Sequence, residues 1–157
     1  MTFNHPIDDR YFEDYQVGDV HDFGIAEVTE ERIVSFAQEF DPQPFHVDPG
    51  AAADGPFGGI VASGWHTCGL MMRMYADHYL SRVASLGGPG IDELRWLAPV
   101  RPGDKLSVRA TVEQARPSRS KPDRGLVHTR VEVLNQHGDV VMRAVILNFL
   151  RIRHAAG

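Results

Sequence analysis

In the N-terminal half of the chain, the spacing of hydrophobic residues changes from that of a strand to that of a helix, and a proline-rich stretch follows. Residues 20–28, VHDFGIAEV, are rich in strand-forming residues and predict a first β-strand. From Thr29 to Phe40 the apolar residues return at helical spacing, with Ile33, Ala37 and Phe40 on one face. Thr29 is placed to cap this amphipathic helix. The helix must end before Pro42, since the residue preceding a proline avoids helical geometry.

A second, more apolar helix is predicted from Gly64 to about Tyr79, with Ser63 as its N-cap. Its residues are apolar on nearly every side, which indicates a helix buried on all faces. The segment falls short of the roughly 20 apolar residues that span a bilayer, and its end, RMYADHYL, is polar. We therefore expect a core helix and no membrane association.

The C-terminal half has the period of strands. The four predicted strand segments are Gly90–Val100, Asp104–Pro117, Gly125–Gln136 and Asp139–Ile152. The sequences RPGD (101–104) and QHGD (136–139) predict tight turns, so consecutive strands should pair antiparallel. The pattern predicts an α+β fold, in which a long antiparallel sheet packs on one long helix, as a single domain over residues 1–157.

Composition narrows the function classes. The 157 residues are 43% hydrophobic and 24% charged with a net charge of −5, which does not favour nucleic-acid binding. The N-terminus lacks the apolar segment of a signal peptide, and the single cysteine, Cys68, rules out an internal disulfide. These features predict a cytoplasmic protein.

The stretch DPQPFHVD, Asp41 to Asp48, combines an acid and a histidine with two prolines. Prolines fix φ and lack a donor, so we expect neither a helix nor a central strand here. In an extended loop, Asp41 and His46 could converge on one water molecule as a general acid–base pair. The alternative interpretation is a helix-ending aspartate followed by an unrelated surface histidine.

Gly64 adds a second candidate group. As the first residue of the apolar helix it offers a free N–H at the positive helix end, which could stabilise negative charge on a carbonyl oxygen. The alternative is that Gly64 serves close packing only. No metal-binding spacing or phosphate-binding glycine loop is present, and we interpret Cys68, His66 and His78 as structural residues. We therefore predict no metal and no bound cofactor.

The segment FAQEFDPQPFHVDPGAAADGPFGGIVASGWHT resembles the signature of the MaoC-like dehydratases, the (R)-specific enoyl-CoA hydratases of hydratase-2 type with a hotdog fold. YFEDYQVGDV (11–20) and LRWLAPVRPGDKL (94–106) resemble further parts of that family, so the similarity covers most of the chain. Asp41, His46 and Gly64 match the signature. Gln43 replaces its usual asparagine, and Ser63 its usual histidine, while Phe45 replaces an aliphatic residue.

The resemblance implies reversible syn addition of water to a trans-2-enoyl-CoA, giving a (3R)-hydroxyacyl-CoA. Asp41 and His46 would hold the water, with His46 removing its proton, and the Gly64 N–H would stabilise the thioester oxygen. Gln43, Phe45, Ser63 and Trp65 would contact the substrate. The only cofactor-like group is then coenzyme A, as part of the substrate.

The family resemblance also implies a homodimer, or a dimer of dimers, with the site at the interface. Trp65, Met71 and Met72 would line an acyl tunnel beside the helix or fill the core. A basic cluster could meet the coenzyme A phosphates or simply be solvated; its members are Arg116, Arg119, Lys121 and Arg124. Arg73 and Arg95 would be available for a second carboxylate on the acyl group.

Two other functions fit the same fold. A hotdog thioesterase would cleave the thioester, although such enzymes usually place a carboxylate near the central helix. A non-catalytic acyl-CoA-binding module would keep the fold without the chemistry, and the intact Asp41–His46 pair counts against it.

Overall fold

The computed structural model describes residues 2–154. Two single-turn 3₁₀ helices, Ile7–Asp9 and Phe12–Asp14, precede the main elements. The strands are β1 Val20–Glu27, β2 Gly90–Trp96, β3 Lys105–Pro117, β4 Arg124–Leu134 and β5 Val140–Arg151. The helices are α1 Glu30–Phe40, α2 Pro44–Val47, α3 Pro49–Ala53 and α4 Gly64–His78. The predicted α+β class is confirmed.

All strand pairs in the five-stranded sheet are antiparallel, in the order β1-β3-β4-β5-β2. The β4–β5 hairpin closes through Gly138, whose φ of +79° suits glycine. The expected pairing of β2 with β3 is wrong, because β2 pairs with β5 at the opposite edge (Trp96 with Met142). The turn at 101–104 forms, with Asp104 N donating to Arg101 O at 3.1 Å, but it ends a crossing segment.

One face of the sheet packs against α4. On β3 and β4 alternate residues are buried, as the sequence pattern predicted: Leu106, Val108, Ala110 and Val112, then Val127, Thr129, Val131 and Val133. The apolar members of this set pack with Leu70, Met71, Met74 and Tyr75 of the helix in one core cluster. The sheet therefore fixes α4, and with it the position of Gly64.

Helix α4 begins where predicted, because the Ser63 Oγ accepts from Trp65 N at 3.2 Å as an N-cap. The expectation that α4 is buried on all sides is wrong for this chain. Trp65 is 58% exposed and Met72 43% exposed. Within residues 2–154, no helix combines the length and apolar character needed to cross a membrane.

Candidate active site

The proline-rich stretch between α1 and α3 is more regular than expected. Asp41 follows the end of α1, and its N–H donates to Ala37 O at 2.8 Å. The expectation that no helix forms in this stretch is wrong, because Pro44–Val47 form one helical turn. Pro44 stands at the first helical position, where the missing N–H has no intrahelical acceptor in any case. This turn directs His46 back towards Asp41.

His46 and Asp41 come together as a pair. The His46 Nε2 lies 3.3 Å from the Asp41 Oδ2, and the His46 side chain is buried. On the other side of the ring, the Nδ1 lies 2.6 Å from the carbonyl oxygen of Val61. A carbonyl oxygen only accepts, so the Nδ1 carries a proton and donates. In the neutral ring the Nε2 is therefore an acceptor that faces the carboxylate.

Two neutral side chains hold the Asp41 carboxylate. The Gln43 Nε2 donates to the Oδ1 at 2.7 Å, and the Ser63 Oγ donates to the Oδ2 at 2.7 Å. Desolvation acts to raise the pKa of Asp41, but these two hydrogen bonds and the nearby His46 outweigh it and lower the pKa below its ordinary value. The carboxylate is thus ionised at neutral pH and fixed in orientation.

His46 borders a cavity of about 380 Å³. Phe45, Phe57, Thr67 and Trp96 also line it, together with Gly64 and the segments 61–62 and 97–100. Asp41 is not among the residues that line the cavity, but its Oδ2 lies 3.3 Å from the Nε2 of His46, which does line it. The lining is largely apolar and contains no arginine or lysine. Its chemistry suits an uncharged organic chain.

Gly64 lies at the same cavity, beneath the indole of Trp96. The Trp96 Nε1 donates to Gly64 O at 3.1 Å, and a Cβ on Gly64 would lie 2.3 Å from the Trp96 ring. Any side chain at position 64 would therefore displace the indole. The Gly64 N–H belongs to the first turn of α4, where no intrahelical acceptor exists, and residues 2–154 supply no other. Close packing and a free donor thus coexist in this residue.

Sequence reasoning missed several groups that shape the site. Nothing in the local sequence pairs Trp96 with Gly64, because the contact joins residues 32 positions apart. The acceptor for His46 is a main-chain carbonyl, which residue types do not reveal. The sequence did contain an indication for Phe57, because this residue lies in the glycine-flanked stretch that matches the family signature.

The chain matches the family described as MaoC like domain over residues 16–136. It belongs to the MaoC-like family. A solved structure, the MaoC-like dehydratase from Rhodospirillum rubrum, is 42% identical, covers 92% of this chain and 99% of its own, and superimposes with a TM-score of 0.86. The similarity in structure confirms the hotdog fold.

Two curated relatives carry names of dehydratases. The 3-hydroxybutyryl-CoA dehydratase of Methylorubrum extorquens is 33% identical over 116 residues, 71% of this chain and 69% of the relative. The 3-hydroxyacyl-thioester dehydratase Z of Mycobacterium tuberculosis is 38% identical over 86 residues. That alignment spans 54% of this chain and only 56% of the relative.

Within this MaoC-like chain, the other predicted substrate contacts do not themselves line the cavity, except for Phe45. Gln43 and Ser63 meet Asp41, while Trp65 stacks edge-on against Trp96, with ring centroids 5.3 Å apart. Of the four predicted substrate contacts, only Phe45 lines the cavity. Met71 is buried in the core and Met72 is exposed.

The charged and structural candidates are also separate from the cavity. Arg73 pairs with Asp77, and Arg95 donates to its neighbour's carbonyl. In the basic cluster, Arg116 and Arg119 border a different depression, at the ends of β3 and β4. Arg124 pairs with Asp123. His66 stacks on Phe36, and its burial, together with the nearby Arg32, lowers its pKa. Cys68 contacts Met142.

Proposed function

We propose that this protein adds water reversibly, in the syn sense, to a trans-2-enoyl-CoA, giving a (3R)-hydroxyacyl-CoA. The observation that carries the proposal is the Asp41–His46 pair at 3.3 Å beside a largely apolar cavity. The dehydratase names of two relatives and of the similar structure support the reaction class.

The pair is suited to hold one water molecule. The His46 Nε2 and the Asp41 Oδ2 are both acceptors when the ring is neutral, because the Nδ1 donates to Val61 O. A water between the two acceptors can donate one hydrogen to each. Its oxygen lone pairs then point away from the pair, towards the third carbon of an enoyl group in the cavity.

Hydration proceeds as one balanced addition. The His46 Nε2 takes a proton from the water as its oxygen bonds to C3, and the electrons of the double bond move to the thioester oxygen. The α-carbon then receives a proton from the pair through Asp41, which restores the carbonyl. Because the two groups are coupled, the proton belongs to the pair and not to one residue. Dehydration follows the same steps in reverse.

The Gly64 N–H supplies the remaining stabilisation. It points from the positive end of α4, where developing negative charge is favoured. A donor aimed at such an oxygen contributes several kcal/mol to lowering the barrier, about 2.7–4 kcal/mol in one measured hydrolase. Trp96 and Ser63 hold this first turn in place through Gly64 O and Trp65 N.

The experiment is a hydration assay with a panel of enoyl-CoAs, following loss of absorbance at the enoyl-thioester band. We expect turnover of crotonyl-CoA and no release of free thiol. The apolar lining predicts poor turnover of enoyl groups that carry a second carboxylate. Thiol release would indicate a thioesterase, and stabilisation by crotonyl-CoA without turnover would indicate a binding module. Either result would contradict the proposal.

We also propose that the chain works as a homodimer. Strand β2 lies at the edge of the sheet and exposes Ile91 and Trp96; Leu97 directly follows it, and Trp65 packs against Trp96. An exposed edge with an apolar patch normally has a partner. Trp96 and Leu97 also line the cavity, so a second chain over them would complete its wall.

Sedimentation equilibrium should give at least twice the 17.5 kDa chain mass at micromolar concentration. Ile91→Asp should shift the protein towards the monomer, because it places a charge at the edge. A monomeric parent would contradict this proposal.

A further inference from the structure

The proposed substrate carries a phosphate, and the cavity lining has no cationic side chain to bind it. A thioester of coenzyme A or of an acyl carrier protein hangs on a pantetheine arm that ends in a phosphate. The cavity lining contains no arginine or lysine, so that phosphate must be met outside it. An arginine or lysine next to the cavity could bind this phosphate by a charge-assisted hydrogen bond.

Arg101 lies next to the wall of the cavity. It directly follows Val100, which lines the cavity, and its Nη2 donates to the carbonyl oxygen of Phe57 at 2.8 Å. Phe57 lines the cavity as well. The guanidinium is thus anchored between two parts of the cavity wall. The members of the basic cluster have no such contact with lining residues.

The turn that presents Arg101 is fixed by its own hydrogen bonds. Arg101 N donates to the Asp104 Oδ2 at 2.9 Å, and Asp104 N donates back to Arg101 O at 3.1 Å. Gly103 has a φ of +89°, which a side chain would strain. The Asp104 Oδ1 accepts from the Gln136 Nε2 at 2.9 Å. This carboxylate is therefore committed to the turn and not to the guanidinium.

Arg101 has no ion-pair partner within residues 2–154. Arginines elsewhere on the surface do, as Arg73 with Asp77 and Arg109 with Asp22 show. Only one N–H of the Arg101 guanidinium is used in a hydrogen bond, that to Phe57 O. Arg101 is exposed, so the rest of the guanidinium is accessible to a ligand.

We propose that Arg101 recognises the substrate by binding the phosphate of its phosphopantetheine arm; this inference rests on the proposed function. The Phe57 carbonyl fixes the plane of the guanidinium, so its remaining N–H groups can form paired hydrogen bonds to phosphate oxygens. The acyl chain then occupies the apolar cavity, while the charge stays next to it. Coenzyme A and acyl carrier protein share this phosphate.

The test compares parent and Arg101→Gln on crotonyl-CoA, crotonyl-4′-phosphopantetheine and crotonyl-pantetheine. Glutamine keeps a polar side chain but is too short to replace the Nη2 and removes the charge. We expect KM to rise about ten- to a hundredfold for the two phosphorylated thioesters, the scale of a charge-assisted hydrogen bond. For crotonyl-pantetheine KM should change less than about twofold, with kcat similar for all three.

Arg73→Gln is the matched control, since it removes the same charge from a residue that does not line the cavity. It should leave all three KM values unchanged. A rise in KM for crotonyl-CoA without one for crotonyl-4′-phosphopantetheine would overturn the inference, because the contact would then lie on the nucleotide. An equal rise for crotonyl-pantetheine, or no rise at all, would also overturn it.

Calorimetric binding of free coenzyme A and free pantetheine separates this inference from the proposed function. Arg101→Gln should weaken coenzyme A binding about ten- to a hundredfold and leave pantetheine binding unchanged, even in a protein that shows no turnover. If the parent protein does not hydrate any of the enoyl-CoAs, the hydratase proposal is contradicted. An unchanged coenzyme A affinity in the variant contradicts the role of Arg101. An additional assay with crotonyl-acyl carrier protein as the substrate shows whether that carrier uses the same contact.

Discussion

Replacing His46 by asparagine should lower kcat/KM for crotonyl-CoA hydration by about 10²–10⁴-fold, the range of general acid–base catalysis. The asparagine amide nitrogen lies near the position of the imidazole Nδ1 and can still donate to Val61 O. It places nothing at the position of the Nε2, which lies 3.3 Å from the Asp41 Oδ2. The variant therefore keeps the structural contact and loses the proton acceptor.

The result is measured as initial rates at saturating and limiting crotonyl-CoA, with thermal unfolding as a check on folding. His78→Asn is the control, because His78 is exposed at the end of α4 and does not line the cavity. It should retain the parent rate. If His46→Asn folds and hydrates crotonyl-CoA at more than a tenth of the parent rate, His46 is not the base.

The features that the sequence predicted well depend on neighbours in the chain. Ser63 caps α4 because its hydroxyl reaches an amide two residues on, and alternation in β3 follows from one buried face. The spacing of Asp41 and His46 also predicted that they approach each other, but not the helical turn that brings them together. These are local effects of spacing and side-chain chemistry, so residue types suffice to predict them.

The missed features depend on distant contacts. The pairing of β2 with β5 follows from the crossing segment, in which Leu97 N donates to Val141 O and Ala62 N to Val100 O. Turn residues at 101–104 show that the chain reverses, but not which strand it joins. The role of Ser63 as a donor to Asp41 likewise joins residues 22 positions apart. Three-dimensional packing decides these contacts.

Asp41→Asn should reduce hydration of crotonyl-CoA by about 10²-fold or more, although the side chain has almost the same shape. Both carboxylate oxygens accept a hydrogen bond, the Oδ1 from Gln43 and the Oδ2 from Ser63. An asparagine has only one acceptor oxygen, so its amide group must face one of these donors. The variant also loses the negative charge that stabilises a protonated His46.

Rates are measured from pH 6 to 9 on parent, Asp41→Asn and the control Asp77→Asn, whose carboxyl pairs with Arg73 away from the cavity. The pKa of Asp41 is lowered, so its carboxylate is ionised throughout this range and the deficit of Asp41→Asn should be present at every pH measured. A deficit that disappears at higher pH, or equal losses in both variants, would contradict a role for the Asp41 charge.

The lowered pKa of Asp41 also predicts how the stability of the folded protein depends on pH. A carboxyl group whose pKa is lower in the folded state stabilises the fold above its unfolded pKa of about 3.9. That contribution is lost as the pH falls through the folded value, because protonation removes the favoured carboxylate. The difference in free energy of unfolding between parent and Asp41→Asn, measured by urea denaturation, should therefore be constant near neutral pH and shrink below about pH 4. If the difference persists below about pH 4, the hydrogen bonds from Gln43 and Ser63 depend on the shape of the Asp41 side chain and not on its charge.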